Sequence, residues 1–403
     1  MAIFKNELKK LLNWKLLLIL VLFSLLFYHM FLRIDLKEYP DGHPSAESLE
    51  LAKMSLKKYG LRIDAAAQKK FQTVEYPAIK QAANQELAGI KAFRDAKITT
   101  VDEYEALDEK QIKSGDESLS KEWCNLFDAL DEIIPNKFPP SPDAYYMYQA
   151  ARDSIPMLQD EEANLKDDIA KPPVGAAQKR THDIKARAMS EGIPAISNIM
   201  NGPLPTWSSM MQSLNVLLLF TVAILISPYL VRDRRSGVRD IAYASRKGRP
   251  LIATQFGAAL AVAVLAEAVQ FTVFLVLFCN GPHQVDLLFL NCDVSYDLKA
   301  WWDMTFGQYI ILDCVALFLL AFGYAMVSFV VSKFCKNYVT VIAVQVPLLF
   351  LTLKLDGRIL GVLFNIYRPK YCEPVVCVMC VLVPLALCLF LVHKEKTADI
   401  LPG

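Results

Sequence analysis

Residues 16–32 read LLLILVLFSLLFYHMFL, an apolar run with no charge. About 180 mostly polar residues follow it, and then five further apolar stretches fill the second half of the chain. A hydrocarbon core of roughly 30 Å takes about 20 helical residues to cross. The windows that meet or approach this length are 16–32, 211–231, 251–278, 305–331, 338–353 and 374–392. The fifth is short and contains Pro347. The predicted fold class is therefore an all-α polytopic membrane protein. It has six transmembrane helices and a large, mainly helical extracytoplasmic domain between helices 1 and 2.

Composition agrees with a bilayer. Of 403 residues, 54% are hydrophobic and 21% charged, more apolar than the usual soluble domain. Net charge is +1, which gives no global argument for nucleic acid. Residues 33–210 hold 23 basic and 29 acidic residues, and the rest of the chain holds 20 and 13. The basic excess thus belongs to the apolar half. Orientation follows from Lys and Arg near span ends. Lys5, Lys9, Lys10 and Lys15, then the Arg-rich loop after span two, then Lys333 and Lys336, then Lys394 and Lys396 all fall on one side of a six-span chain. That side is expected to be cytoplasmic, with both termini there and 33–210 outside a plasma membrane. The segment 354–372, with Lys354, Arg358, Arg368 and Lys370, disagrees; its apolar part, ILGVLFNIY, reads as interfacial or re-entrant. Span one lacks an A-x-A site and is longer than a usual signal-peptide core, so an uncleaved signal-anchor is expected.

Three parts follow: 1–32, an N-terminal amphipathic helix and first span; 33–210, the extracytoplasmic helical domain; and 211–403, a five-helix bundle. In 1–12, Ile3, Phe4, Leu8, Leu11 and Leu12 fall near one helical face. A helical extension of span one is the other reading. In the polar block, helices are expected at 45–60 with Gly60 as stop, at 80–97, after a Thr cap at 99–113, at 118–134, and at 156–170 and 178–190. Residues 193–210 read as an interfacial connector with Trp207 at headgroup depth. Nine cysteines do not form a dense disulfide framework, although Cys279 and Cys292 share one loop.

Catalytic signatures are absent. There is no GxxxxGK[ST] phosphate loop, no HExxH and no GxSxG, and the five histidines lack metal spacing. No catalytic residue, metal or cofactor is expected. Cys377 and Cys380 form a C-x-x-C inside an apolar helix, where cysteine more often serves as a small hydrophobe than as a redox thiol. Two acids lie within spans, Glu267 and Asp313, with Gln270 close by. An intramembrane carboxylate is costly unless paired, hydrated or protonated. These three form a candidate polar site, or else hydrogen bonds inside the bundle.

The strongest signal is 232–260, RDRRSGVRDIAYASRKGRPLIATQFGAAL. Physically it is a basic loop with a short helix and a turn before the chain re-enters the membrane. Its order of residues resembles the loop after span two in bacterial type-2 ABC transporter permeases. Asp233, Gly237, Ile241, Ser245, Lys247, Gly248 and Arg249 occupy that pattern, with Arg246 among them. The family usually has Glu at the position of Asp233 and often Lys at the position of Gln255. The resemblance implies a coupling helix within 232–250 that docks on a separate P-loop ATPase subunit, which binds the ATP. It also implies a second permease copy, and a lipid bilayer around both. On this reading the chain is the permease of an exporter for a hydrophobic or amphipathic substrate or an ion, and not itself an enzyme. Two other readings stay open: a sensor or scaffold whose outer domain binds a ligand, and an ion-coupled secondary transporter using Glu267 and Asp313.

Overall fold

A computed structural model describes residues 2–40, 42–133, 143–197, 202–237, 251–361 and 363–397. Six of its helices are long and apolar enough to cross a bilayer: Trp14–Lys37, Pro203–Arg235, Leu251–Asn280, Phe306–Phe334, Tyr338–Leu360 and Cys372–Glu395. They mark the chain as a multi-pass membrane protein, and helix accounts for nearly all of its regular structure. Every expected apolar window, Thr305 apart, lies in one of them, and most run longer than their apolar cores.

The chain divides into two compact units. The first contains 1–33, 207–279 and 309–403. Within it the spans are unequally enclosed. Span two is 72% buried and span four 61%, against 17% for spans one and five. Two helices therefore form the centre, and the rest turn apolar side chains such as Leu22, Leu25, Val273, Phe350 and Leu387 outward. Such an exposed surface would be a liability in water and is ordinary in lipid. The N-terminal helix, Ala2–Leu11, is separate from span one rather than an extension of it. Asn13 breaks the helix with ψ 132° and caps the next one by accepting from the Lys15 N–H at 3.0 Å. It buries Glu7 and Leu11 and leaves Ile3 and Phe4 exposed. Span five continues through Pro347 to Leu360, so Lys354, Asp356 and Arg358 are helical. Asn337 starts it by accepting from the Thr340 N–H at 2.8 Å. Proline inside a spanning helix is tolerated when neighbours satisfy the freed carbonyl.

Trp207 departs from expectation. It lies in the helix Pro203–Ile226, only 1% exposed, with Phe274 and Phe278 edge-on to its ring. It is a packing residue of the bundle, not a headgroup anchor.

The second unit contains 34–206 and 280–308. Thr100 and Glu103 form a capping box at the start of Val101–Ser114, and Gly60 ends Ser45–Tyr59 at φ +87°. The longest helix of this unit among the described residues, Ala144–Ala170, runs through Pro156. Leu87, Phe93, Tyr104, Leu130 and Tyr148 centre the main core. The one sheet among the described residues is a two-residue ribbon pairing Arg62–Ile63 with Ile193–Pro194. Gly192 is needed beside it: at φ +97° an added Cβ would stand 2.6 Å from the Ile63 carbonyl carbon.

The loop 280–308 joins this unit through polar contacts, from exposed ion pairs to a buried histidine. The Arg62 guanidinium holds Asp293 at 2.7 Å and Arg180 holds Asp303 at 2.5 Å, with Arg187 on the same Asp303 oxygen. His283, fully buried, stacks on Tyr39 and reaches Asp286 at 2.6 Å and the Asp35 carbonyl at 2.5 Å. Asp293 and Asp303 thus bind the unit's own cations, while Asp297 accepts from the Ser197 hydroxyl. Cys292 is buried, Cys279 is exposed, and both thiols are free.

One feature of this unit has a pH consequence. Glu86 and Asp143 accept from the same Tyr145 N–H, at 2.8 and 3.0 Å. Burial, and then the neighbouring Asp143 carboxyl, push the Glu86 carboxyl up to about 7. The unfolded chain ionises Glu86 near its ordinary 4.5, whereas the fold keeps the proton until about 7. Stability from this group therefore falls as pH rises from 4.5 to 7 and is flat above. Glu86→Gln is expected to stabilise the unit by about 1–2 kcal/mol at pH 8, discounted for partial exposure. It should make little difference at pH 4. Thermal unfolding of both proteins across this range measures it.

Candidate functional site

Of the expected coupling residues, Asp233 and Gly237 are described; Ile241, Ser245, Arg246, Lys247, Gly248 and Arg249 lie outside the described residues. What the structure gives is the root of this loop on both sides. The helix Tyr229–Arg235 leads into it and the helix from Leu251 leads out. Gly237 sits at φ +71° with open space around its Cα, so backbone conformation alone calls for glycine there.

Asp233 is buried, 6% exposed. Its Oδ2 accepts from Lys10 Nζ at 3.1 Å and from Gln255 Nε2 at 3.0 Å. One carboxylate oxygen thus joins the N-terminal helix, the chain entering the loop and the chain leaving it. Lys10 also reaches Glu7 Oε1 at 2.8 Å, and Glu7 Oε2 accepts from the Tyr229 hydroxyl at 2.5 Å. The Arg232 guanidinium donates to the Lys10 carbonyl at 2.7 Å. Burial pulls the Lys10 ammonium down, but the Glu7 and Asp233 carboxylates beside it leave it raised on balance. The cation stays charged at any physiological pH. Asp233, expected as a contact for a partner, therefore faces the chain's own N-terminal helix. Gln255, which sequence reasoning noted only as a departure from a pattern, is its direct partner.

A second anchor lies alongside. Arg234 donates to the carbonyls of Lys333 and Cys335 at 2.6 Å each, where span four ends. The Leu230 N–H donates to Ser332 Oγ at 3.0 Å. Lys333 pairs with Glu395 at 2.7 Å. The loop root is thereby tied to the ends of spans four and six as well as to residues 7–10.

Each intramembrane candidate has its own hydrogen-bond surroundings. Asp313 Oδ2 accepts from Trp207 Nε1 at 3.0 Å. Gln270 exchanges hydrogen bonds with Thr221, at 2.7 and 3.1 Å, and donates to Ser24 at 3.1 Å. Glu267 is 1% exposed, and its Oε1 lacks a partner. No hydrogen bond joins Glu267 to Asp313 or to Gln270 among the described residues. Cys377 and Cys380 carry free thiols on the last helix. A further acid, Asp356, is fully buried beside Asn215 and was concealed in sequence by the flanking Lys354 and Arg358. Among the described residues, no group of three or more His, Cys, Asp or Glu could hold a metal ion. Comparison with protein-family models, with curated proteins and with solved structures gives no match to this chain.

Proposed function

We propose that this chain is the permease subunit of an ATP-driven transporter of the type-2 ABC kind. It sits in a plasma membrane with both termini cytoplasmic and 33–210 outside. Two copies, or this chain and a related one, would form the pathway. A separate P-loop ATPase would dock on 237–249, and ATP would bind only there. The observation that carries the reading is the Lys10–Asp233–Gln255 node. A loop that transmits force needs a stiff root, and this root is held from both chain directions and from the N-terminal helix. The two positions that depart from the family pattern, Asp233 and Gln255, also bond to each other. Docking contacts that differ between two ATPase states would then shift a rigid bundle between two arrangements.

The test is copurification and coupling. The chain, extracted from its own membrane in mild detergent, is expected to bring down a P-loop ATPase in equal amount. Reversing charge at Arg246, Lys247 and Arg249 together should lower transport at least tenfold while membrane insertion and ATP hydrolysis persist. Full coupling in the triple variant would reject the docking site.

A second reading is supported by Glu267 and Asp313, each buried with one oxygen lacking a donor. It is a secondary transporter driven by an ion gradient. Transport that survives ATP depletion but stops when the ion gradient is dissipated would favour it. The cargo in the first reading is an amphipathic or hydrophobic molecule or an ion.

A further inference from the structure

Asp356 and Asn215 make a pair that neither reading uses. Asn215 stands on span two and is 2% exposed; Asp356 stands on span five and is fully buried. Asn215 Nδ2 donates to Asp356 Oδ2 at 3.1 Å. The other oxygen of each side chain, Oδ1 in both, is buried with no partner. Two acceptors thus remain on one pair, with no donor for either. No Lys or Arg pairs with Asp356 among the described residues. Lys354 and Arg358, four apart, occupy the opposite, exposed face of the same helix. Cys377 and Cys380 on span six lie within electrostatic reach of the carboxyl and, as thiols, bring no positive charge. Span two approaches closely here, since Gln212 lies over Gly357 and Gly361.

An unpaired carboxylate in this position would be a bare charge in a low-dielectric bundle, which costs several kcal/mol. One proton removes both defects. On Asp356 Oδ1 it gives an O–H donor, and the unmet acceptor on its partner is Asn215 Oδ1. With the existing Nδ2–H bond this closes an acid–amide ring in which every polar atom is matched. We propose that Asp356 and Asn215 form a proton-binding site inside the bundle, where proton uptake docks span five against span two and release loosens it. The balance is simple: the carboxylate and one proton from water give the neutral acid, and the reverse step returns the proton to water. Span five is suited to such a role because it is among the least enclosed helices. It is also held by Gln345, which donates to Tyr324 and Ser328 at 2.7 and 2.6 Å.

Infrared spectroscopy of the full chain in lipid tests this directly. A protonated carboxyl has a C=O stretch that carboxylates and amides lack, and it shifts in heavy water. The wild-type minus Asp356→Asn difference spectrum isolates residue 356 from Glu267 and Asp313. The band is expected in full at low pH, lost as pH rises, and absent from the variant at every pH. Asparagine at 356 retains a donor for Asn215, so that variant should fold and its thermal stability should lose the wild-type dependence on high pH. Asn215→Leu provides a second readout: the band should move to higher frequency because the carbonyl no longer accepts from an amide N–H. No difference band at any pH, or one that never titrates, would overturn the site. So would a carboxylate band that responds to added sodium or potassium chloride, which would assign the pair to a metal cation. None of these outcomes depends on whether an ATPase binds the loop.

Discussion

Asp233→Leu is expected to free the N-terminal helix while leaving the six spans inserted. The substitution deletes the acceptor shared by Lys10 and Gln255 and fills its place with a side chain that can accept from neither. Breaking a buried pair by removing one partner typically costs 3–5 kcal/mol. Here the Lys10 side chain is 31% exposed and retains Glu7, so the lower end, about 3 kcal/mol, applies. The loss should be local. Amide exchange over residues 2–11 is expected to quicken at least tenfold, and the centre of the bundle should change little. Lys10→Met should be nearly as damaging for the opposite reason, because it leaves Glu7 and Asp233 as two buried carboxylates without their cation. Gln255 lies 3.0 Å from the same Asp233 oxygen, so Gln255→Lys should restore a cation. The double variant Lys10→Met/Gln255→Lys is therefore expected to recover most of the stability lost by Lys10→Met alone. Hydrogen exchange and thermal unfolding in detergent measure both effects. Unchanged exchange in Asp233→Leu would mean that apolar packing of Leu11 holds the helix, not the ionic node.

The parts that sequence made legible were those with a long repeat or a local signature. Six apolar runs become six helices because lipid leaves the backbone few other ways to satisfy its polar groups. The Thr100 cap and the Gly60 stop are local events, read correctly from neighbouring residues. Side-chain destinations were harder. Asp233 sits in the sequence RDRR, which reads as a solvated loop, and its partners in the fold, Gln255 and the N-terminal helix 223 residues away, are not visible in that local sequence. Trp207 at a span boundary looked like an interface anchor because its chemistry suits one; Asp313 offers the same indole N–H a partner within the bundle. Asp356 was hidden by charge, since Lys354 and Arg358 made the segment look like a loop. A helical projection separates them: residues four apart share a face, and the residue between them points away. Glu267, Gln270 and Asp313 were grouped only because all three lie within spans. Depth along two helices does not fix which way their side chains turn.

Gly323→Ala should test how the bundle closes, and the expected sign runs against helix propensity. Alanine is better than glycine inside a helix by about 1 kcal/mol. At this position, however, a Cβ would overlap the Cys380 carbonyl oxygen of the last helix and stand 3.0 Å from its carbonyl carbon. Small residues permit such backbone approach between spanning helices. The obstacle is backbone, so no rotamer change relieves it, and the two helices must separate. Overpacking of this sort costs about 1–3 kcal/mol, and more when the clash is rigid, so steric strain outweighs the propensity gain. A net loss of about 2 kcal/mol is expected for alanine and a larger one for valine. Separation would also stretch what lies farther along the same pair of helices: the Cys388 thiol on the Met326 carbonyl at 3.6 Å, and the Lys333–Glu395 ion pair. Cys388 is fully buried, so its alkylation rate reports on that gap. Labelling at residue 388 should rise in the order Gly323, Ala, Val while thermal stability falls in the same order. If alanine instead raises stability and leaves Cys388 protected, spans four and six have room to spare, and the glycine is not what sets their approach.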